Sequence, residues 1–508
     1  MHGLSRSSFS RFDIRAARYA SCRHFGRAVG GWALAASFVV AGGVAQAGSS
    51  GDVVLDWNEL ASGVLVANED LQNPGMASRS MAMMNLAIYD SLALTGGWAD
   101  ATSFYGYDGL DVTAKSSASG DAAAAVAAYT VLSGIYGDQQ ATLDAGLSAT
   151  LSGIADGAAK TQGVTLGQTI GQAILDQRST DGYDTYTQYT PTCEVGHWQP
   201  DPVNPDQEAW GPAWGEVQMF AIDSAEAFLP APMPELTSVE YAEAYNEVLA
   251  LGGVDSTVRT DEQTEIGIFW AYDRVGMGTP MTLFNDVLRT VAEQEGNTTA
   301  ENAQLFAKAT VAMADAGIVA WNSKFEYDLW RPVTGIRDGD LDDNPLTEAV
   351  ADWTPLGAPD GESLTGFTPP FPTYLSGHAT FGGALFGALQ EFYGTDDITF
   401  TLNSAELEAI LEDEALAALY GLESLADAER TFTSFSEAMA ENGRSRVYLG
   451  IHWNFDDTEG QATGQLVASS LFHNAFVASA VPEPVGSLAL VGVGGLLFRK
   501  TRRAAHLR

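Results

Sequence analysis

Three short stretches hold side chains that could do chemistry together. "WNSKFEYDLWRP" carries Lys324 and Arg331, seven residues apart. On a helix that separation is about two turns, which aims both cationic heads from one face toward one spot, and Pro332 is expected to stop that helix just after the arginine. In "FPTYLSGHATFGG", Ser376, Gly377 and His378 stand at the mouth of an apolar helix. There the first-turn N–H groups and the helix dipole favour an anion, and Gly377 lets the backbone come close to it. "SRVYLGIHWNFDD" adds Arg446, His452 and Asp456. Together these supply two guanidiniums, an ammonium, a hydroxyl, backbone N–H groups and two imidazoles. That set is a cradle for a tetrahedral oxyanion, since arginine forks bind such oxygens bidentately and lysine acts as a point charge. Arg337 and Arg444 stand just outside these stretches and are expected to join the cluster. Each piece alone is ordinary: a Lys/Arg pair usually marks a solvated helix face and Ser-Gly-His a helix start. The ordered combination carries the reading.

The elements that must position these groups read as helices. "SRSMAMMNLAIYDSLALTGG" and "DAAAAVAAYTVLSGIYG" place apolar residues at three- and four-residue spacing, and glycine ends both. "LGQTIGQAILDQRSTDG", "SVEYAEAYNEVLALGG", "ENAQLFAKATVAMADAGIVAW", "HATFGGALFGALQEFYG", "ADAERTFTSFSEAMAENG" and "TEGQATGQLVASSLFHNAF" follow suit, with no strong alternating strand run. Residues 183–236 are rich in Pro, Trp and Gly and read as a long ordered loop. The expected fold is all-α, two helical bundles dividing near residues 236–256: an N-terminal bundle over 48–255 and a C-terminal bundle over 256–480 that carries the cradle. "DGDLDDNP" at 338–345 resembles the start of a calcium loop, but Asp343 replaces the turn glycine and Ala349 stands where a bidentate glutamate is needed, so an acidic surface turn is expected.

The 508 residues, 46% of them hydrophobic, suffice for a large core, and the net charge of -40 excludes nucleic acid or an anionic membrane surface as partner. Residues 1–47 read as a secretory leader: six arginines, an apolar run, then Ala45-Gln46-Ala47. Residues 481–508, "VPEPVGSLALVGVGGLLFRKTRRAAHLR", resemble a PEP-CTERM sorting signal, which an exosortase recognises and removes. These ends imply a bacterial protein exported to the cell envelope or beyond, touching membrane only through transient terminal segments. Between them lie 14 Lys+Arg against 63 Asp+Glu, about -49, and one cysteine, Cys193. No intrachain disulfide is then possible, so stability rests on the core. Oligomeric state is not readable from the sequence.

The order Lys, six residues, Arg-Pro; Ser-Gly-His; Ser-Arg, three residues, Gly, one residue, His, three residues, Asp resembles a known family. That family unites vanadium-dependent haloperoxidases with type 2 phosphatidic acid phosphatases and bacterial acid phosphatases. The strong match spans residues 321–456, with a looser likeness in "DWNEL" and "RTDEQTEIGIFWAYD". "FTPPFPTYLSGHATFGGA" and "GIHWNFD" look most like the vanadium chloroperoxidases. The resemblance implies a vanadate cofactor whose equatorial oxygens meet Lys324, Arg331 and Arg446, with hydrogen bonds from Ser376 and the Gly377 N–H. It implies His452 as the apical ligand, Asp456 orienting it, and His378 as the acid–base group that takes a proton from hydrogen peroxide. Lys324 would polarise the peroxide, Trp321 and Phe371 would line a halide pocket, and Asp273 would partner Arg446. The product would be hypohalous acid, from bromide and from chloride. An acid phosphatase would use the same cradle, with phosphate competing for the site, His452 as nucleophile and His378 protonating the leaving alcohol. The aromatics, the length and the lack of several membrane spans favour the haloperoxidase. A non-catalytic envelope protein is a third reading, against which every Lys, Arg and His of the motif is present. Asn454, where a basic residue tends to stand, and Leu375, where proline is common, depart from the pattern. His197 and His473 have no motif around them and are expected to be structural.

Overall fold

The computed structural model describes residues 50–476 apart from 69–72, 108–116, 203, 360–366 and 423–427. The leader and the sorting signal expected from the sequence lie outside the described residues.

The first half folds into α1 (Val53–Ala67), α2 (Pro74–Leu94), α3 (Gly120–Ile135), α4 (Gln140–Ser152) and α5 (Ala158–Arg178). A long segment then runs over the surface to α6 (Val239–Leu251) and α7 (Asp261–Phe269). The rest comprises α8 (Pro280–Glu295), α9 (Thr299–Tyr327), α10 (Pro332–Arg337), α11 (Gly377–Tyr393), α12 (Ala405–Glu412), α13 (Glu414–Tyr420), α14 (Phe435–Tyr448) and α15 (Asn454–Asn474). The helices start where the sequence offers caps: Asn73 accepts from the Met76 N–H at α2, and Thr298 and Glu301 form a reciprocal capping box at α9.

The 29-residue α9 is the central strut, packed by α2, α11 and α15. It is long and apolar enough to cross a membrane, but 89% of its apolar window is buried inside the protein, as in a core helix. Its faces join both halves: Val54, Leu86, Ile88 and Val131 share one apolar core with Phe306, Val311, Leu385 and Val467. A second, smaller core of Tyr241, Tyr245, Trp330, Val447 and Trp453 backs the cradle residues that neighbour it in sequence.

Two features differ from the sequence expectation. A two-stranded antiparallel ribbon joins β1 (Phe400–Asn403) to β2 (Glu429–Phe432), pairing Phe400 with Phe432. Glu429–Phe432 lies in "ADAERTFTSFSEAMAENG", expected as helix; the helix starts only at Phe435, and four residues are too few for strand alternation to show. Second, α9 does not continue to Arg331. Asp328 adopts a left-handed conformation (φ 50°) and ends it, and Pro332 opens α10 rather than closing α9. Proline fits the first helical position, where the missing N–H is unneeded. At 338–345, Asp342 accepts from the Asn344 N–H and the Thr347 hydroxyl, an ordinary turn closure.

α11 and α15 cross with almost no side chain between them. A Cβ added at Gly464 would lie 2.2 Å from the Thr380 carbonyl oxygen, and one at Gly383 2.4 Å from that of Gln461. Both helices begin at the cradle: His378 sits in the first turn of α11, and His452 just before α15.

Candidate active site

The cradle is built where four chain segments meet. Lys324 is in the last turn of α9, fully buried. Its Nζ donates to the carbonyls of Pro372 (3.2 Å), Thr373 (3.0 Å) and Leu375, so it anchors the loop leading into α11. Burial first, and the nearby Arg331 second, hold this ammonium well below its ordinary pKa. Arg331 reaches the same place from the extended link between α9 and α10. Its Nε donates to the Phe371 carbonyl at 2.8 Å, and its Nη1 to the Ile451 carbonyl at 2.9 Å and the His452 ring at 3.0 Å. Burial draws its pKa down to about 9, which leaves it charged at neutral pH. Arg446, on α14, is 1% exposed and pairs through Nη2 with Asp273 at 2.5 Å.

Among the described residues, three buried donors of these guanidiniums have no partner: Arg331 Nη2, Arg446 Nε and Arg446 Nη1. Buried polar groups are nearly always paired, and an unpaired buried charge-bearing donor is costly. Arg446 lines the cavity described below and Arg331 reaches it through the His452 ring, so these donors point to an anion with several acceptor oxygens. Ser376 caps α11 by accepting from the Ala379 N–H, which uses the oxygen and leaves the hydroxyl proton to donate. Gly377, the first helical residue, lines the cavity with an N–H that has no partner within the helix.

The two histidines are fixed in opposite tautomers. His378 Nε2 lies 3.0 Å from the carbonyls of Trp270 and Ala271. Carbonyls only accept, so Nε2 carries the proton and Nδ1 keeps a lone pair. Burial, then the charge of Arg446, lowers His378 to about 4, so it is neutral at pH 7. His452 is held the other way. Arg331 Nη1 can only donate, so Nε2 accepts; Nδ1 faces Asp456 Oδ2 at 2.9 Å and the Thr373 hydroxyl at 3.0 Å. Burial, reinforced by Arg331, keeps His452 well below its ordinary value and neutral. Burial pushes Asp456 up to about 6, against hydrogen bonds from Thr373 and the Trp453 N–H that favour its ionised form.

A cavity of about 270 Å³ opens onto these groups, lined by His378, His452, Arg446, Asp273 and Gly377 on one side. Much of the remaining lining is apolar, with Trp321, Phe371, Phe381, Trp210 and prolines 74, 280, 369 and 370, joined by Asn73, Tyr272 and Thr279. Trp321 and Phe371 lie with ring centroids 5.0 Å apart, and Lys324 Nζ sits 5.6 Å and 5.0 Å from them.

The structure therefore brings together Lys324, Arg331, Ser376, Gly377, His378, Arg446, His452 and Asp456, with Asp273, Trp321 and Phe371 around them. It does not bring Arg337 and Arg444 there. Arg337 donates to the Trp353 carbonyl at 2.7 Å, tying α10 to the 353–354 turn. Arg444 faces outward to Glu247 (2.6 Å) and to the Asn454 side chain (2.7 Å). Nearness in sequence is not shared direction: Arg444 and Arg446 are two apart on a helix and so do not share a face. The contact with Asn454 does place a cation at the position where a basic residue was expected. His197 pairs with Asp328 at 2.9 Å at the end of α9, and His473 donates to the Ser469 carbonyl at 2.7 Å. Sequence reasoning did not find Trp210, Tyr272, Phe381 or Thr373. The density of Trp and Pro in 183–236 was the available signal for Trp210, whose N–H donates to the Pro370 carbonyl at 2.9 Å and whose ring lies 5.1 Å from Trp321.

Residues 304–478 match the family model of the VCPO second helical-bundle domain. Over 301 residues the chain is 35% identical to the vanadium chloroperoxidase of Curvularia inaequalis, covering 50% of this chain and 48% of that protein. The chain thus spans about half the length of that curated relative. Among solved structures, a bacterial vanadium-dependent iodoperoxidase is similar with a TM-score of 0.63 and 24% identity, over 83% of this chain and 96% of that one. A holo-type bacterial vanadium-dependent chloroperoxidase follows, with a TM-score of 0.60 and 15% identity over 81% and 94%. The chain has the helical fold of these bacterial proteins, and the segment carrying Lys324 through His452 is the one similar to the second VCPO bundle.

Proposed function

We propose that the protein is a vanadate-dependent haloperoxidase, oxidising halide with hydrogen peroxide to hypohalous acid. The observation that carries this is the set of unpaired buried guanidinium donors converging with two neutral histidines at the foot of an aromatic cavity. Vanadate fits this donor set: an oxyanion with several acceptor oxygens and one position for a nitrogen. Arg331 Nη2, Arg446 Nε and Nη1, the Ser376 hydroxyl and the Gly377 N–H would hold its oxygens, and His452 Nε2 would be the nitrogen ligand. Bound there, vanadate would supply Lewis acidity toward hydrogen peroxide without a change of oxidation state.

The chain's own groups supply the rest. His378 Nδ1, its lone pair freed by the two carbonyls on Nε2, accepts a proton from incoming peroxide and can return it to a leaving oxygen. Asp456 holds the His452 proton at Nδ1, so Nε2 keeps the lone pair that here accepts from Arg331 Nη1 and that an incoming anion would take over. Lys324 adds positive potential and fixes the 372–375 loop, while Trp321, Phe371 and Trp210 exclude water from the path of a weakly hydrated halide. Bromide and chloride are the proposed halides, Phe371 being the feature that favours chloride. Export to the envelope of a bacterium, with removal of the C-terminal signal by an exosortase, rests on the leader-like and tail-like sequences alone.

The test is bromination of a phenolic dye by the purified protein with hydrogen peroxide and bromide, with and without orthovanadate, alongside hydrolysis of a phosphate ester. Halogenation only with vanadate, suppressed by phosphate, is the expected result. Ester hydrolysis blocked by vanadate, with no halogenation, would overturn the haloperoxidase reading in favour of a phosphatase on the same cradle.

A further inference from the structure

We infer that Thr373 is a positioning residue that, through Asp456, holds the His452 ring with its proton on Nδ1 and its Nε2 lone pair beside Arg331, where it would serve the anion. The inference deepens the haloperoxidase reading and rests on it for the identity of the anion.

Thr373 is completely buried two residues after Phe371, and its backbone is held on both sides. Its N–H donates to the Leu329 carbonyl at 3.0 Å and its own carbonyl accepts from Lys324 Nζ at 3.0 Å. The hydroxyl is thereby delivered between two groups that matter: it lies 3.0 Å from His452 Nδ1 and makes a short hydrogen bond to Asp456 Oδ2. A threonine hydroxyl has one proton, and an ionised carboxylate can only accept, so that proton goes to Asp456. The oxygen's lone pairs then face Nδ1, where they can only accept. Nδ1 is met by two acceptors, Asp456 Oδ2 at 2.9 Å and Thr373 Oγ1, and by no donor. A proton at Nδ1 is stabilised twice, and the alternative tautomer would set a lone pair against two oxygens.

Asp456 is also better defined through Thr373. Its Oδ2 accepts from Thr373, His452 and the Trp453 N–H (3.0 Å), while Oδ1 has no partner. Without the hydroxyl the carboxylate loses a donor and can turn toward Oδ1. The β-branch of threonine limits χ1, so the hydroxyl is held in place rather than rotating away.

The experiment compares wild type, Thr373→Val and Thr373→Ser. Vanadate affinity of the metal-free protein is titrated, and the protonation of the His452 ring nitrogens is read by ¹⁵N NMR before vanadate is added. Valine keeps the shape and removes the hydroxyl; an outer partner of a ligating histidine typically accounts for about 10–100-fold in affinity. We expect Thr373→Val to bind vanadate at least about tenfold more weakly and to shift the Nδ1 resonance as Asp456 turns away, while Arg331 at Nε2 still opposes the other tautomer. Thr373→Ser should stay within about threefold of wild type and keep the Nδ1-protonated signature. If the valine variant fails to fold, Thr373→Ala replaces it. Unchanged affinity together with an unchanged imidazole signature in the hydroxyl-free variant overturns the inference, as does a serine variant as weak as valine. A wild type that takes no vanadate overturns the haloperoxidase reading instead, and the ring signature of the hydroxyl-free variant then decides the part of Thr373.

Discussion

Two regions of this molecule bury arginines, and they do so to opposite ends. In the N-terminal half, Arg79 and Arg178 converge on Asp181 at 2.7 Å and 2.8 Å, and their remaining arms donate to the carbonyls of Arg178, Gln218 and Met219. Among the buried nitrogens of this pair in the described residues, Arg178 Nε lacks a partner, and that guanidinium sits 3.8 Å from the Phe220 ring centroid. Nearby, Asp315 on α9 accepts three successive N–H groups, from Phe220, Ala221 and Ile222. This network is closed: it fastens the surface segment to the helices. In the cradle the arginines are equally buried, yet three donors are left over. A buried charge that is answered within the chain serves architecture; one that is left over anticipates a ligand. The cationic residues are alike in both places, and only the hydrogen-bond accounting separates them.

That contrast can be broken at its strongest point first. His452→Ala should abolish both vanadate binding and halide oxidation, since it removes the one nitrogen ligand; halogenation surviving in a vanadate-titrated sample would refute the contrast. Asp181→Asn should instead strike the closed network, leaving two buried guanidiniums without their carboxylate. The expected loss is about 3–5 kcal/mol in urea unfolding, with vanadate affinity unchanged in the protein that remains folded. Saturation sharpens the comparison further: vanadate at about 100 times its Kd should add about 2.7 kcal/mol to wild type and Asp181→Asn alike, and nothing to His452→Ala.

The smallest effect is a pH dependence. His378 is depressed to about 4, with Arg446 and Asp273 the charged groups beside it. Its neutral form therefore persists well below the ordinary histidine range. The stability it contributes is present above about pH 6.5 and is lost as pH falls through about 4. Halide oxidation limited by this base should hold to about pH 5 and decline below about 4; an acid limb near 6.5 would show an unperturbed histidine.

How much of this was legible in the sequence depended on range. Most helices were, because their apolar residues recur every three to four positions, and so was the Ser376 start of α11; the caps Asn73 and Thr298 lie just before the stretches read as helix. The cradle was legible through its spacing, yet for Lys324 and Arg331 the assumed geometry was wrong. A left-handed Asp328 interrupts the helix, and nothing in "FEYDLWRP" announces it. Arg337 and Arg444 were drawn into the cluster because proximity in sequence was read as proximity in direction. Trp210 and Thr373 were invisible for another reason: each acts across a gap of more than 75 residues, from Trp210 to Trp321 and from Thr373 to His452. A contact that no local period encodes has no signature in one sequence.

The bare crossing of α11 and α15 has a consequence for how this site can change over time. The spacing between the segment bearing His378 and the one bearing His452 is set by backbone against backbone, at Gly383 and Gly464, with no rotamer between. Ordinary drift of core side chains, a leucine for a methionine or a valine for an isoleucine, has no purchase on that distance. Two walls of the cavity, Trp210 and Phe371, stand on loops outside that crossing. The molecule is thereby divided into a gauge that is fixed and a mouth that is adjustable, which lets descendants explore new small-molecule preferences while inheriting the same anchor.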